Sequence, residues 1–250
     1  MESIFHALSD FEADSWDSLR TQVLDRTRAG AKQSDVAVQS WRKFNRLLRT
    51  RTQHDLFTNL SLAEPSRNQK LMVDCLRQYL KPGSVIVIDI EPLPDYLQCL
   101  VFGDVVRTIY DAKLGDVEDI EPKSLNKIVV FADELNKYAP KGFEGGRTLT
   151  SNILEITERG RSLGVILFGA EQFRSGIHDR VLGNCGTNVY GRTSAVELAK
   201  SSDYRYFPES YKSSIARLPQ GHLLLQHPVF KTALIRVRFP RPCYFQPKGE

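Results

Sequence analysis

The stretch KIVVFADELNKYAP (residues 127–140) decides how this chain is read. An apolar run, Ile128 to Ala132, leads straight into two carboxylates, Asp133 and Glu134. A polar loop carrying Lys137 follows. The run reads as a buried strand. A carboxylate beside a core is costly unless something positive meets it. Three environments answer that cost: a metal ion, a salt bridge, or solvent at the strand end.

Outward from this stretch, strands and helices alternate. SVIVIDI (84–90) reads as a continuous apolar strand. DYLQCLVFGDVVRTIYDAK (95–113) reads as a helix with Leu97, Leu100, Val101, Val105 and Ile109 inward. TLTSNILEITERGRS (148–162) reads as a helix and GVILFGA (164–170) as a strand. A short helix near 177–183 leads to TNVYGR (187–192), a fourth strand. Strands apolar on both faces and separated by helices predict an α/β fold, with a parallel sheet sandwiched between helices. GHLLLQ (221–226) and VFKTALIRVRF (229–239), joined by a short HP link, predict a C-terminal β-hairpin.

Upstream the pattern is helical. Trp16, Leu19 and Val23 recur at helical spacing behind the capping residue Ser15, and Gly30 stops the run. A second helix is expected over about 36–51. It places Trp41, Phe44 and Leu48 on one side and Arg42, Arg46 and Arg49 on another. Residues 67–81 read as a third helix, ended by KPG. The chain therefore divides into a helical segment (1–65), an α/β core (66–220) and a hairpin with its tail (221–250).

Composition sets the bounds. The 250 residues are 41% hydrophobic and 26% charged, ordinary for a soluble globular protein. The net charge of +4 permits an anionic partner without demanding one. No apolar run approaches the roughly 18 residues that a membrane helix needs. The acidic, mixed N-terminus is no signal peptide. Cys75, Cys99, Cys185 and Cys243 form no CxxC pair, which fits free thiols in a reducing interior. The expectation is a soluble cytoplasmic protein.

In parallel α/β sheets, ligands sit beyond the carboxyl ends of the strands, where Asp133 and Glu134 fall. Nucleotide hydrolysis needs a carboxylate there for a Mg²⁺ shell and another to polarise water. The stretch TERGRSLGVILFGAEQFRSGIHDRVLGNCGTNVYGR (157–192) adds Arg159 and Arg161 before one strand, and Glu171 with Gln172 after it. Together, VVFADEL, RGRSLGVILFGAEQ and VLGNCGTNVYGR resemble, in order and spacing, the C-terminal half of the HerA–FtsK branch of RecA-like P-loop ATPases, HerA-like members above all. LKPGSVIVIDIEPLP is similar to that family's strand upstream of Walker B. The resemblance covers roughly residues 66–240.

The resemblance implies a role for each matching position. Asp133 would be the Walker B residue supporting Mg²⁺, and Glu134 the general base. Gln172 would be the polar sensor near the γ-phosphate. Arg161 would be the finger that reaches a neighbouring subunit's ATP, with Arg159 a substitute. A planar guanidinium suits that role because it contacts phosphate oxygens through two donors and stays charged. The GAE before Gln172 is more acidic than the family pattern. The resemblance further implies ATP and Mg²⁺, a homo-hexameric ring, DNA in its pore and a nuclease partner. Lys137, Lys141 and Arg147, in the loop region after Walker B, are the candidate DNA-contacting residues. The rival reading is a non-catalytic DNA-binding or assembly module of the same fold.

The sequence has no GxxxxGK[ST], although a phosphate cradle needs such a loop at a helix N-terminus. KGFEGGRT (141–148) and GNCGT (183–187) lack its lysine and its strand–loop–helix setting. The expectation is the C-terminal part of a longer protein; a degenerate relative, or a subunit lending Asp133 and Arg161 in trans, is the alternative. The missing piece would supply a central strand, so the sheet should carry an exposed groove.

Other signals are weaker. GRSLG (160–164) matches GxSxG, but Ser162 follows a helix and precedes a strand, the reverse of a nucleophile elbow. His222 and His227 lack a third ligand at zinc spacing. The basic helix face around 42–51 reads first as solvated and second as a phosphate contact.

Overall fold

The structure is a computed structural model, and it describes residues 2–28, 36–57, 72–118, 120–121, 125–142, 149–231 and 234–240. The chain divides into two compact units, Met1–Leu71 and Met72–Glu250.

The first unit is helical: α1 (Glu2–Leu8), α2 (Trp16–Arg28) and α3 (Val38–Arg51), then a 3-10 turn over Asp55–Phe57. Ser15 caps α2, its hydroxyl accepting the Ser18 amide at 3.1 Å. Ile4, Val23, Val36 and Trp41 form the core, with Leu19, Phe44 and Leu48 packed on it. Trp16 does not join them. It lies at the surface, edge-on to Phe57 with ring centroids 4.8 Å apart.

The second unit is mixed α/β. Helix α4 (Met72–Tyr79) precedes the KPG turn, where Gly83 takes φ +79°. Helix α5 (Asp95–Leu114) ends at Gly115, whose left-handed φ of 91° lets its amide reach the carbonyls of Asp111 and Ala112. Leu97, Val105 and Ile109 of α5 are buried as expected, but Leu100 is exposed. Strands β1 (Ile128–Ala132) and β2 (Val165–Gly169) pair in parallel, with Ile128 opposite Val165 and Ala132 opposite Gly169. Helix α6 (Leu149–Leu163) makes the crossover between them.

Alternation along β1 sets its two faces. Ile128, Val130 and Ala132 enter a core shared with α4, α5, α6 and α7 (Asp179–Asn184). Val129 and Phe131 point out, and Phe131 is 77% exposed with its ring stacked on Phe168 at 5.1 Å.

Two strand expectations need correction. Residues 84–90 take no regular secondary structure and join no sheet; Val85 and Val87 are 88% and 86% exposed. An apolar, β-branched segment forms a strand only where a partner takes up its amides and carbonyls, and no described segment does. The fourth strand, β3 (Asn188–Tyr190), leaves the parallel pair altogether. It pairs antiparallel with β4 (His222–Gln226), which pairs antiparallel with β5 (Ile235–Arg238). The C-terminal hairpin is therefore present and recruits β3 on its other edge. Tyr190 and Leu224 of this sheet pack with Leu198, Tyr204, Ile215 and Leu218 from α8 (Ala195–Lys200), α9 (Glu209–Ala216) and the turns around them.

Three glycines set how closely α6, β1 and β2 approach. A Cβ on Gly160 would meet the Val165 carbonyl oxygen at 2.8 Å, and one on Gly164 would meet the Asn126 oxygen at 2.5 Å. One on Gly169 would lie 2.4 Å from Cδ2 of Leu135. The GRSLG stretch is thus a helix-to-strand packing device, and the Ser162 hydroxyl donates to the Arg159 carbonyl. Among the described residues no helix is long and apolar enough to cross a membrane.

Candidate active site

The carboxyl ends of β1 and β2 are laced together by backbone. The Ala170 amide donates to the Ala132 carbonyl at 2.8 Å, and the Leu135 amide donates to the Ala170 carbonyl at 3.1 Å. Between these bonds the chain turns sharply. Glu134 sits at φ 51°, ψ 53°, and is the one non-glycine among the described residues in the left-handed region. A side chain in that region costs of order 1–3 kcal/mol and persists only where the surroundings enforce it. Here the 3-10 turn over Leu135–Lys137 follows at once, with Leu135 buried against Gly169.

Asp133 and Glu134 stand side by side at this end. Asp133 is exposed, and its Oδ1 accepts the Glu134 amide at 2.9 Å. The Glu134 carboxylate forms an ion pair with Lys137. Lys137 also approaches Asp95 at 3.8 Å and Gln98 Oε1 at 3.5 Å. Its ammonium is pushed above the ordinary lysine range, chiefly by the hydrogen bond to Glu134. Within the chain itself, then, Glu134 is met by a lysine, while Asp133 stands exposed at the strand end.

Glu171 organises the same edge. Its Oε2 accepts the Asn136 amide at 2.8 Å, and its Oε1 accepts those of Gln172 at 2.7 Å and Phe173 at 3.1 Å. The loop after β1 is thereby clamped to the loop after β2, which leaves the exposed Gln172 next to the carboxylate pair. Sequence reasoning gave Glu171 no such role. A usable signal was present: with Phe131 opposite Phe168 and Ala132 opposite Gly169, VFADE and LFGAE are in register, and both glutamates fall two residues past their strand ends.

The other predicted residues lie elsewhere. Arg159 and Arg161 are on the last turns of α6, at the opposite end of β2 from Gln172. The Arg159 guanidinium is held above its ordinary range by a hydrogen bond to Tyr110. Arg161 is exposed, and Glu158 pairs with Arg180 rather than with it. Of the predicted DNA-contacting residues, Lys137 is held by Glu134 and Lys141 by Asp179 at 3.0 Å. Arg147 lies outside the described residues, as does Cys243. Cys75 and Cys99 are half-buried free thiols and Cys185 is exposed.

Beside β1 runs an apolar groove of about 740 Å³, lined by Val85, Ile86 and Ile88 on one side and by Val129 and Phe131 on the other. It reaches Asp133 and Tyr138. Burial raises the Tyr138 phenol above its usual range. Among the described residues, no strand pairs with either flanking segment across the groove.

The donor set fits a divalent ion in part. Among the described residues no three His, Cys, Asp or Glu side chains converge on one point. An ion at Asp133 would be held through one carboxylate, with phosphate and water completing its shell, as Mg²⁺ tolerates. A triphosphate does not fit this chain by itself. The sequence supplies no GxxxxGK[ST], and the nearby Lys137 is bound to Glu134.

No protein-family model and no curated protein matches the chain. Among solved structures, it is similar to the genome-packaging NTPase B204 from Sulfolobus turreted icosahedral virus 2 in complex with ATPγS. Identity there is 15% over 63% of this chain and 67% of that one, with a TM-score of 0.44. The AMPPCP complex of the same NTPase gives 15% identity, the same coverage and 0.43. The DNA-packaging ATPase B204 from Sulfolobus turreted icosahedral virus gives 19% identity over 57% and 60%, at 0.39.

Proposed function

We propose that this chain contributes the hydrolytic edge of an ATP-driven DNA motor of the HerA type. In this reading Asp133 supports Mg²⁺, Glu134 takes the proton of the attacking water, and Gln172 is the sensor. The observation that carries it is the adjacent carboxylate pair at the carboxyl end of β1, with Glu134 in a left-handed conformation that glycine would adopt more cheaply. The clamp through Glu171 supports it by holding the two loops as one rigid edge.

The phosphate-binding loop comes from another segment or subunit, and the groove beside β1 is where a strand leading into it would seat. Arg159 and Arg161 then serve a neighbouring subunit's nucleotide, in a ring of identical subunits around DNA. The second reading, a DNA-binding or assembly module without hydrolysis, is favoured by the Glu134–Lys137 ion pair, which occupies the proposed base.

Nucleotide turnover separates the two. The purified chain alone turns over no MgATP, because it lacks the cradle. The assembly captured through a tag on this chain does turn it over, and Glu134→Gln stops that turnover while ATP stays bound. Robust turnover by the isolated chain, or an assembly indifferent to Glu134→Gln, overturns the first reading.

A further inference from the structure

Helix α3 carries five Arg or Lys residues and no carboxylate, and no Asp or Glu occurs between Val36 and His54. Its apolar side is spent on the unit's own core. Trp41 is 1% exposed, stacked on Phe11 at 5.8 Å and edge-on to Phe44 at 6.3 Å. On the solvent side Arg42, Arg46 and Arg49 fall at i, i+4 and i+7, all exposed, with Lys43 beside them. Among the described residues none of these four cations is in an ion pair.

Several other helices place a carboxylate one turn from a cation. Arg20 and Arg28 of α2 face Asp17 and Asp25, Arg77 of α4 faces Asp74, and Lys212 of α9 faces Glu209. Like charges three and four apart on a helix repel one another. A stripe with no carboxylate on its own tryptophan-anchored helix therefore attracts a polyanion.

We infer that the Arg42–Arg46–Arg49 face of α3 is a sequence-independent binding surface for the phosphodiester backbone of duplex DNA. From Arg42 to Arg49 the helix rises about 10 Å. Phosphates on one strand recur about every 3.4 Å along the duplex axis, so the stripe matches about three of them. A membrane surface fits less well, because interfacial helices insert a free apolar face, and α3 spends Trp41, Phe44 and Leu48 on its own core, leaving Leu47 as its one exposed large apolar side chain. Lys137 and Lys141, each held by a carboxylate, are replaced as the main DNA contacts. Only the choice of DNA as the polyanion rests on the proposed motor function.

The test is fluorescence anisotropy of the full chain, without nucleotide, on two unrelated labelled 25-base-pair duplexes over 50–200 mM KCl. Wild type binds both alike, and log affinity falls linearly with log salt. The R42Q/R46Q/R49Q variant lowers that slope by about 2.7, at about 0.9 per lost phosphate contact. Glutamine keeps helix propensity, and circular dichroism checks that the helices remain. The R42K/R46K/R49K variant retains the slope, since point charges suffice for backbone contacts. An unchanged slope in the glutamine variant overturns the inference. So does the loss of slope in K137Q/K141Q instead, or binding to phosphatidylserine vesicles with none to DNA. Because no ATP is present, failure of the hydrolysis reading leaves this result untouched.

Discussion

The carboxylate of Glu171 accepts the backbone amide of Asn136 at 2.8 Å, across 35 positions of chain. The same carboxylate takes the amides of Gln172 and Phe173, so one side chain satisfies three donors at the edge shared by β1 and β2. Glu171→Ala leaves all three to weak or watery substitutes and lowers unfolding free energy by about 2 kcal/mol. Amide hydrogen exchange checks the cause: Asn136, Gln172 and Phe173 lose protection together, ahead of the helix interiors. Uniform loss across the unit would mean that Glu171 acts through general packing instead.

Gly164 and Gly83 take nearly the same backbone angle, φ +73° and +79°, in different surroundings. A Cβ at Gly83 meets nothing within 4 Å, while one at Gly164 runs into the Asn126 carbonyl oxygen at 2.5 Å. Gly83→Ala therefore costs only the left-handed penalty, about 1–2 kcal/mol. Gly164→Ala adds displacement of a backbone carbonyl beside β1 and costs roughly 3 kcal/mol or more. Denaturant melts of the two variants rank them; equal midpoints would contradict the close approach of α6–β2 to Asn126.

The strand end that carries Asp133 and Glu134 was legible in the sequence. A strand signal ending in Asp133–Glu134 needs only local pattern, and β1 forms where that pattern runs. The 84–90 segment has the same pattern and forms no strand, because pairing depends on a partner that local sequence does not reveal. For the same reason TNVYGR was placed in the wrong sheet: β3 is short, and its antiparallel partner β4 lies more than 30 residues away. Charge pairing was the least legible. Whether Lys137 faces DNA or Glu134 depends on the left-handed turn at Glu134, which a glutamate does not announce.

Asp104, on α5, has its carboxyl raised above the usual range, chiefly by partial desolvation, with Arg107 pulling it back down. A raised native pKa means the folded state holds its proton more tightly than the unfolded chain. This group's contribution to stability is therefore fully present below the unfolded carboxylate value, and it is lost as pH rises through the native one. Asp104→Asn removes that loss. Relative to wild type, the variant gains stability between pH 3 and pH 7, read from denaturant midpoints at both. A difference that is flat with pH, or that favours wild type more at pH 7, would refute the assignment.

Glu134 and Arg161 stand at opposite ends of the β1–β2 pair, since Glu134 follows β1 while Arg161 precedes β2. Five strand residues separate the two edges, about 16 Å at the usual rise. An arginine side chain does not cross that distance, so the two cannot serve one nucleotide from a single subunit. If both act in hydrolysis, Arg161 acts across an interface, whereas Glu134 acts at its own. In the proposed motor assembly, Glu134→Gln and Arg161→Ala each abolish turnover, and the second leaves nucleotide affinity nearly intact. Mixing the two inactive forms then creates some interfaces with a normal Glu134 facing a normal Arg161, and part of the turnover returns. Subunit exchange is verified by two differently coloured labels. Full exchange without any recovery refutes the trans role, and makes Arg161 an exposed helix-terminal cation that only favours the C-terminal end of the α6 dipole.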